Sequence, residues 1–150
     1  MKHGDISNRQ SFVIGFRCDG CIVKYREHGL INHVLNLVKG KAHNGEIDSE
    51  VLSLMRHVFY QTDYSVAVVC GNDSYTDELR SFLEDRSVPY TEFMRIIKSD
   101  NEVTMKLLTG DLSYYVDSDY NRLSLINSQY AVSVEEFKTI FRRRRMNGFR

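Results

Sequence analysis

Three aspartates, Asp19, Asp117 and Asp119, each sit just past a strongly apolar stretch, and acids so placed are the strongest candidates for chemistry in this chain. If those stretches are neighbouring strands of a buried sheet, their ends bring the carboxylates together. Such a cluster is costly unless a cation, a lysine or a proton offsets it. Lys106 or Lys98 could supply the positive charge, and so could Mg²⁺, which suits hard oxygen ligands and phosphate. The plainer reading makes each aspartate a cap for the turn or helix after its strand. It suffices for any one of them alone, whereas three at equivalent strand ends point to a site or its remnant.

Cys18 and Cys21 form a C-x-x-C, and Cys70 closes another apolar run. A zinc site needs about four ligands. The chain has no second cysteine pair, and His28, His33, His43 and His57 show no ligand spacing aimed at the first. Redox chemistry would place the pair at the start of a helix after a strand, yet buried, reduced thiols are the default reading. His28, His33 and His57 flank apolar helical positions and read as partly buried, hydrogen-bonded side chains. Tyr114 and Tyr115 alternate along a strand, so one points inward as ordinary core.

The elements that position these residues follow from periodicity. Residues 11–16 (SFVIGF) read as a buried strand that ends near Cys18, Asp19 and Gly20. Helical spacing over 25–38 (Ile31, Val34, Leu35, Val38) and over 50–60 (Val51, Leu54, Met55, Val58, Phe59) predicts two helices joined by the loop GKAHNGE. A second strand over 65–70 leads into a helix over 76–85. Beyond Pro89, strands are expected over 91–97, 112–116 and 130–132, with helices over 102–108 and 120–126. Ser133 then caps a last helix, with Glu136 at the capping-box spacing. Strands alternating with helices imply a parallel sheet covered on both faces, whose functional groups collect at the carboxyl ends of the strands.

At 150 residues, with 42% hydrophobic and 27% charged positions, the chain is long enough for one domain with a real core. It has no apolar run of bilayer length and no signal-like opening, so a soluble, cytoplasmic protein is expected. The formal net charge of +0 is a cancellation. Five of the 20 basic residues, Arg142, Arg143, Arg144, Arg145 and Arg150, lie in the last nine positions, which hold no acid, so residues 1–141 carry five more acids than bases. Residues 1–141 read as the domain and 142–150 as a basic tail. Four consecutive arginines cannot share one helix face and would surround the helix end. They read either as a solvated helix terminus or as phosphate-neutralising groups on DNA or RNA, with Phe141 and Phe149 as stacking or anchoring groups.

Taken in order, these pieces resemble the haloacid dehalogenase (HAD) superfamily of phosphatases over roughly residues 11–132. Where that family has a strand ending in Asp-x-Asp-Gly-Thr, this chain has FVIGF, then Arg17-Cys18-Asp19-Gly20-Cys21. Where its second strand ends in Thr or Ser, this chain has VAVV, Cys70, Gly71 and Asn72. Where a lysine precedes a strand ending in paired acids, this chain has Lys106, SYYV, Asp117, Ser118 and Asp119. The resemblance implies an α/β three-layer sandwich with a mostly parallel sheet and a minimal cap. It also implies a pocket remnant made of Arg17, Asp19, Cys70, Asn72, Lys106, Asp117 and Asp119.

Two departures decide the functional expectation. By the family pattern the nucleophile and metal ligand is the first Asp of the motif, and here it is Arg17, a permanently protonated group that cannot attack phosphorus and repels a divalent cation. The phosphate-binding hydroxyl is replaced by Cys70, a weak donor. Arg17 is expected to pair with Asp117 or Asp119 where a metal would sit, leaving no cofactor. The phosphatase domain of phage polynucleotide kinase looks like the nearest enzyme type. A phage factor that shuts off host transcription, of the Alc type, would combine an acidic body for host RNA polymerase with a basic tail for DNA. The alternative is an active phosphatase on a small or nucleic-acid phosphate ester, with Asp19, Lys106 and Asp117 catalytic and Mg²⁺ held at Asp19 and Asp117.

Overall fold

The structure is a computed structural model that describes residues 12–25, 45–71, 76–96 and 101–146. In chain order the elements are β1 (Val13–Arg17), β2 (Val23–Tyr25), β3 (Gly45–Ile47), α1 (Ser49–Gln61), β4 (Ser65–Gly71), α2 (Thr76–Asp85) and β5 (Glu92–Ile96). They continue with α3 (Asn101–Thr109), β6 (Tyr114–Asp117), α4 (Tyr120–Leu125), β7 (Ala131–Ser133) and α5 (Val134–Met146). Five strands form one sheet in the order β5-β4-β1-β6-β7, and every pairing in it is parallel. The expected three-layer α/β architecture is present, with β1 at the centre.

Alternation along the strands divides the core in two. Ile14 and Phe16 of β1, with Val66 and Val68 of β4, pack on one face against Val51, Met55 and Val58 of α1, Leu79, Phe82 and Leu83 of α2, and Phe137 and Phe141 of α5. Ala67, Val69, Met94, Ile96 and Tyr115 pack on the other face against Val103 of α3, Ile126 after α4, and Leu112. Gly15 points to this second face. A Cβ on it would stand 2.9 Å from Leu112 Cδ2 and 3.0 Å from Val69 Cγ2, so glycine is what lets the turn before β6 seat Leu112 against the central strand.

Several starts and stops have local causes. Asp48 accepts from the backbone N–H groups of Glu50 and Val51 and caps α1. The predicted capping box of the last helix is formed reciprocally: Glu136 N–H donates to Ser133 Oγ at 3.1 Å, and Ser133 N–H donates to Glu136 Oε1 at 2.8 Å.

The interval after β1 differs from the sequence expectation. Tyr25 ends β2 and does not open a helix, while Gly45 and Glu46, expected in a loop, belong to β3. β2 and β3 pair antiparallel as a separate two-stranded sheet. Strands of three residues are too short to show alternation, which is why the pattern hides them. The rest of the helix expected over 25–38 lies outside the described residues. The arginines at 142–145 continue α5, and Arg142 and Arg143 are exposed. Among the described residues, no helix is long and apolar enough to cross a membrane.

Candidate functional site

The carboxyl ends of β1 and β6 carry the cluster. Register pairs Gly15 with Tyr115 and Phe16 with Val116, so the next step brings Arg17 alongside Asp117. Alternation then places Gly15, Arg17, Tyr115 and Asp117 on the face covered by α3 and α4. After β1 the chain winds through a wide turn, closed by Ile22 N–H to Arg17 O and Val23 N–H to Cys18 O, with Gly20 at φ +86°. That turn swings Asp19 back toward Arg17. After β6, Asp119 caps α4 by accepting from the N–H groups of Asn121 and Arg122, and this short helix aims the Arg122 side chain back at the sheet end.

The result is two guanidinium groups interleaved with three carboxylates. Arg17, 6% exposed, donates from Nε to Asp19 Oδ1 at 3.0 Å and from Nη1 to the Tyr115 hydroxyl at 3.4 Å. Tyr115 in turn donates to Asp117 Oδ2 at 2.6 Å. Arg122 grips Asp117 with two bonds, Nε to Oδ2 at 2.8 Å and Nη2 to Oδ1 at 2.9 Å, the fork geometry of a strong charge-assisted pair. Its Nη2 also donates to the Asp19 backbone carbonyl at 2.8 Å, and its Nη1 lies 3.5 Å from Asp119 Oδ2. The Asp119 N–H completes the set on Asp117 Oδ1 at 3.0 Å.

Asp117 is fully buried and its two oxygens accept four hydrogen bonds, which fills the roughly four lone-pair sites that a carboxylate offers. Asp19 and Asp119 are the acids that meet solvent, with side chains 33% and 38% exposed. Burial works against the charge on Arg17, but the Asp19 carboxylate and Tyr115 together outweigh it and hold the group above its ordinary pKa. Burial likewise opposes the charge on Arg122, and its bonds to Asp117 raise the balance. Tyr115 is pushed up by burial and by the Asp117 carboxylate, so its hydroxyl stays a donor.

These residues do not fit Mg²⁺. The acid that would bridge to the ion has no lone pair left, and two permanent cations already stand among the carboxylates. Among the described residues, no group of three or more His, Cys, Asp or Glu is arranged to hold a metal ion.

No family model matches the chain, and no curated protein matches it. A chain in the structure of the Pnkp1/Rnl/Hen1 RNA repair complex is similar in fold, with a TM-score of 0.60 at 13% identity. The match covers 82% of this chain and 41% of that one, so this chain spans less than half the length of the chain it matches. The likeness is one of fold.

The remaining expected site residues divide sharply. Arg17 does turn to an acid, and among the described contacts that acid is Asp19, while Arg122 takes the place beside Asp117 that the sequence suggests for Arg17. Cys70 is not brought into the cluster. Alternation sends it to the opposite face of the sheet, where its thiol is hydrogen-bonded to Cys18. Gly71 takes the corresponding position, close enough that a Cβ would stand 3.2 Å from Arg17 Nη2. Lys106 lies in the last turn of α3, which has carried the chain back toward the start of β6, the far edge of the sheet. Asn72 and Lys98, with His28, His33 and His43, lie outside the described residues. His57 is half-buried against Phe141.

The two cysteines of the C-x-x-C have separate partners. Cys18 bonds Cys70, while Cys21 bonds Ser118 and has its thiol pushed up to about 11 by burial. All three thiols are free and buried, the inert state.

Proposed function

We propose that this chain is a catalytically degenerate protein of HAD-like fold that works as a binding and regulatory factor on nucleic acid and RNA polymerase. The reading is carried by one observation: Arg17 stands at the end of the central strand, where the family pattern puts its nucleophile, and the acid beside it is saturated by Arg122, Tyr115 and the Asp119 N–H. The central position of β1 in an all-parallel sheet supports the family, and so does the fold shared with a chain of an RNA repair complex. The phosphatase domain of phage polynucleotide kinase is an enzyme type it resembles.

With phosphoryl chemistry absent, what remains is charge. An acidic body ends in the arginines at 142–145, and Arg142 and Arg143 project from α5 into solvent. That division suits a phage factor of the Alc type, whose acidic body meets host RNA polymerase in the bacterial cytoplasm while its basic end neutralises DNA phosphates. Phosphate contacts position such a protein without reading sequence.

The test mixes the purified chain with bacterial RNA polymerase and duplex DNA and measures both affinities against salt. Polymerase should co-elute with the chain after nuclease treatment. Alanine at positions 142–145 should weaken DNA binding and flatten the slope of log K against log salt by roughly 0.9 for each phosphate that is no longer neutralised. A chain that binds neither polymerase nor DNA contradicts the reading.

A further inference from the structure

Helices α1 and α5 lie side by side and run in the same direction. Lys138, near the start of α5, bonds Glu50 in the first turn of α1, and two turns on the His57 ring meets the Phe141 ring at 5.2 Å. Both helices therefore begin at the carboxyl edge of the sheet, beside the acid cluster, and end at its amino edge. The solvent side of the pair carries a charge gradient. Glu50, Glu135 and Glu136 mark the carboxyl edge, while Arg56, Arg142 and Arg143 are exposed toward the amino edge, where Asp63 is the one exposed acid just past α1. Among the described residues, none of these three arginines has an ion-pair partner.

Tyr60 stands on this surface, one helical turn past His57, as Arg142 and Arg143 stand just past Phe141. It is 67% exposed, and the neighbouring Phe59 ring meets it edge-on at a centroid distance of 4.9 Å, which supports the ring from the side and leaves it reachable. Phe141, the stacking candidate in the sequence, is 6% exposed and stacked on Phe137 in the core, so it cannot receive a base.

We infer that the paired ends of α1 and α5 form a docking surface for single-stranded DNA, with Arg56, Arg142 and Arg143 on the phosphates and Tyr60 stacking on an unpaired base. A duplex offers phosphates but hides its base faces, whereas an exposed tyrosine among unpaired cations suits a strand whose bases are free. The inference rests on the nucleic-acid reading above and adds a strand type and a location. The seven residues of β4, at about 3.3 Å each, put roughly 20 Å between this surface and the Arg17–Asp117 cluster, so bound DNA is not presented to that cluster.

The test is fluorescence anisotropy of a labelled oligo(dT), with the full chain and three tyrosine variants, alongside duplex DNA, oligo(U) and an acidic peptide. Tyr60→Ala should weaken oligo(dT) binding roughly 5- to 150-fold, the range for removal of one base stack, and Tyr60→Phe should restore it. Tyr120→Ala is the matched control, since Tyr120 is 68% exposed at the opposite edge, and it should leave affinity unchanged. Arg142→Ala with Arg143→Ala should flatten the salt slope while Tyr60→Ala leaves that slope alone. The inference is overturned if Tyr60→Ala binds like the parent, if Tyr120→Ala costs as much, or if only oligo(U), an acidic peptide or duplex is bound. Binding to duplex or polymerase without oligo(dT) sinks this surface and leaves the broader reading standing; binding to none of them sinks both.

Discussion

Arg122→Ala will lower the unfolding free energy by about 3–5 kcal/mol, the cost of removing one partner from a buried ion pair. Asp117 is wholly buried, and Arg122 supplies two of its four hydrogen bonds and its nearest countercharge. Without the guanidinium, Tyr115 and one backbone N–H face an uncompensated carboxylate in the sheet end. The same substitution also frees the Asp19 carbonyl that Arg122 Nη2 satisfies. Adding Asp117→Asn removes the stranded charge and should recover part of the stability, the signature of coupled sites. Denaturant melts of the two single variants and the double variant give the coupling directly. A drop under about 1 kcal/mol for Arg122→Ala would mean that the pair is as weak as an exposed one.

The second expectation concerns chemistry. Arg17→Asp restores the carboxylate that the HAD pattern has at the end of β1, and on the motif alone it should revive phosphatase activity. The structure predicts the opposite: the variant releases no phosphate with Mg²⁺ present, because Arg122, Tyr115 and the Asp119 N–H still fill the lone pairs of Asp117. Nor should Mg²⁺ raise its melting temperature, whereas ten times the Kd of a bound ion would add about 1.4 kcal/mol. Turnover or a Mg²⁺ shift in Arg17→Asp would show that Arg17 alone closes the site.

The sheet and most helices are legible in the sequence because burial imposes periodicity. The helix over 76–85 follows to the residue, since Leu79, Phe82 and Leu83 share one stripe. The strand expected over 112–116 is β6 at 114–117. Leu112 is apolar because it packs on Gly15 from the preceding turn, and nothing in the pattern separates that from pairing. Arg17, Asp19, Asp117 and Asp119 stand out because strand ends concentrate function. Arg122 does not, since the family pattern points to a lysine before the strand as the cation for the acids, while the real one follows five residues later on a short polar helix. The signal that could find it is Asp119 as an N-cap, which fixes a helix start and so aims the residue three positions on. Tyr115 reads as core, which it is, but its hydroxyl also links Arg17 to Asp117.

We propose that guanidinium groups stand where the HAD pattern has its nucleophile and metal, leaving a protein that binds and does not hydrolyse. Phosphate release from an aryl phosphate ester, measured with the unaltered chain and Mg²⁺ beside Asp19→Asn, tests it most directly. The account predicts that both stay at the level of buffer alone. Mg²⁺-dependent release by the unaltered chain that disappears in Asp19→Asn would contradict it.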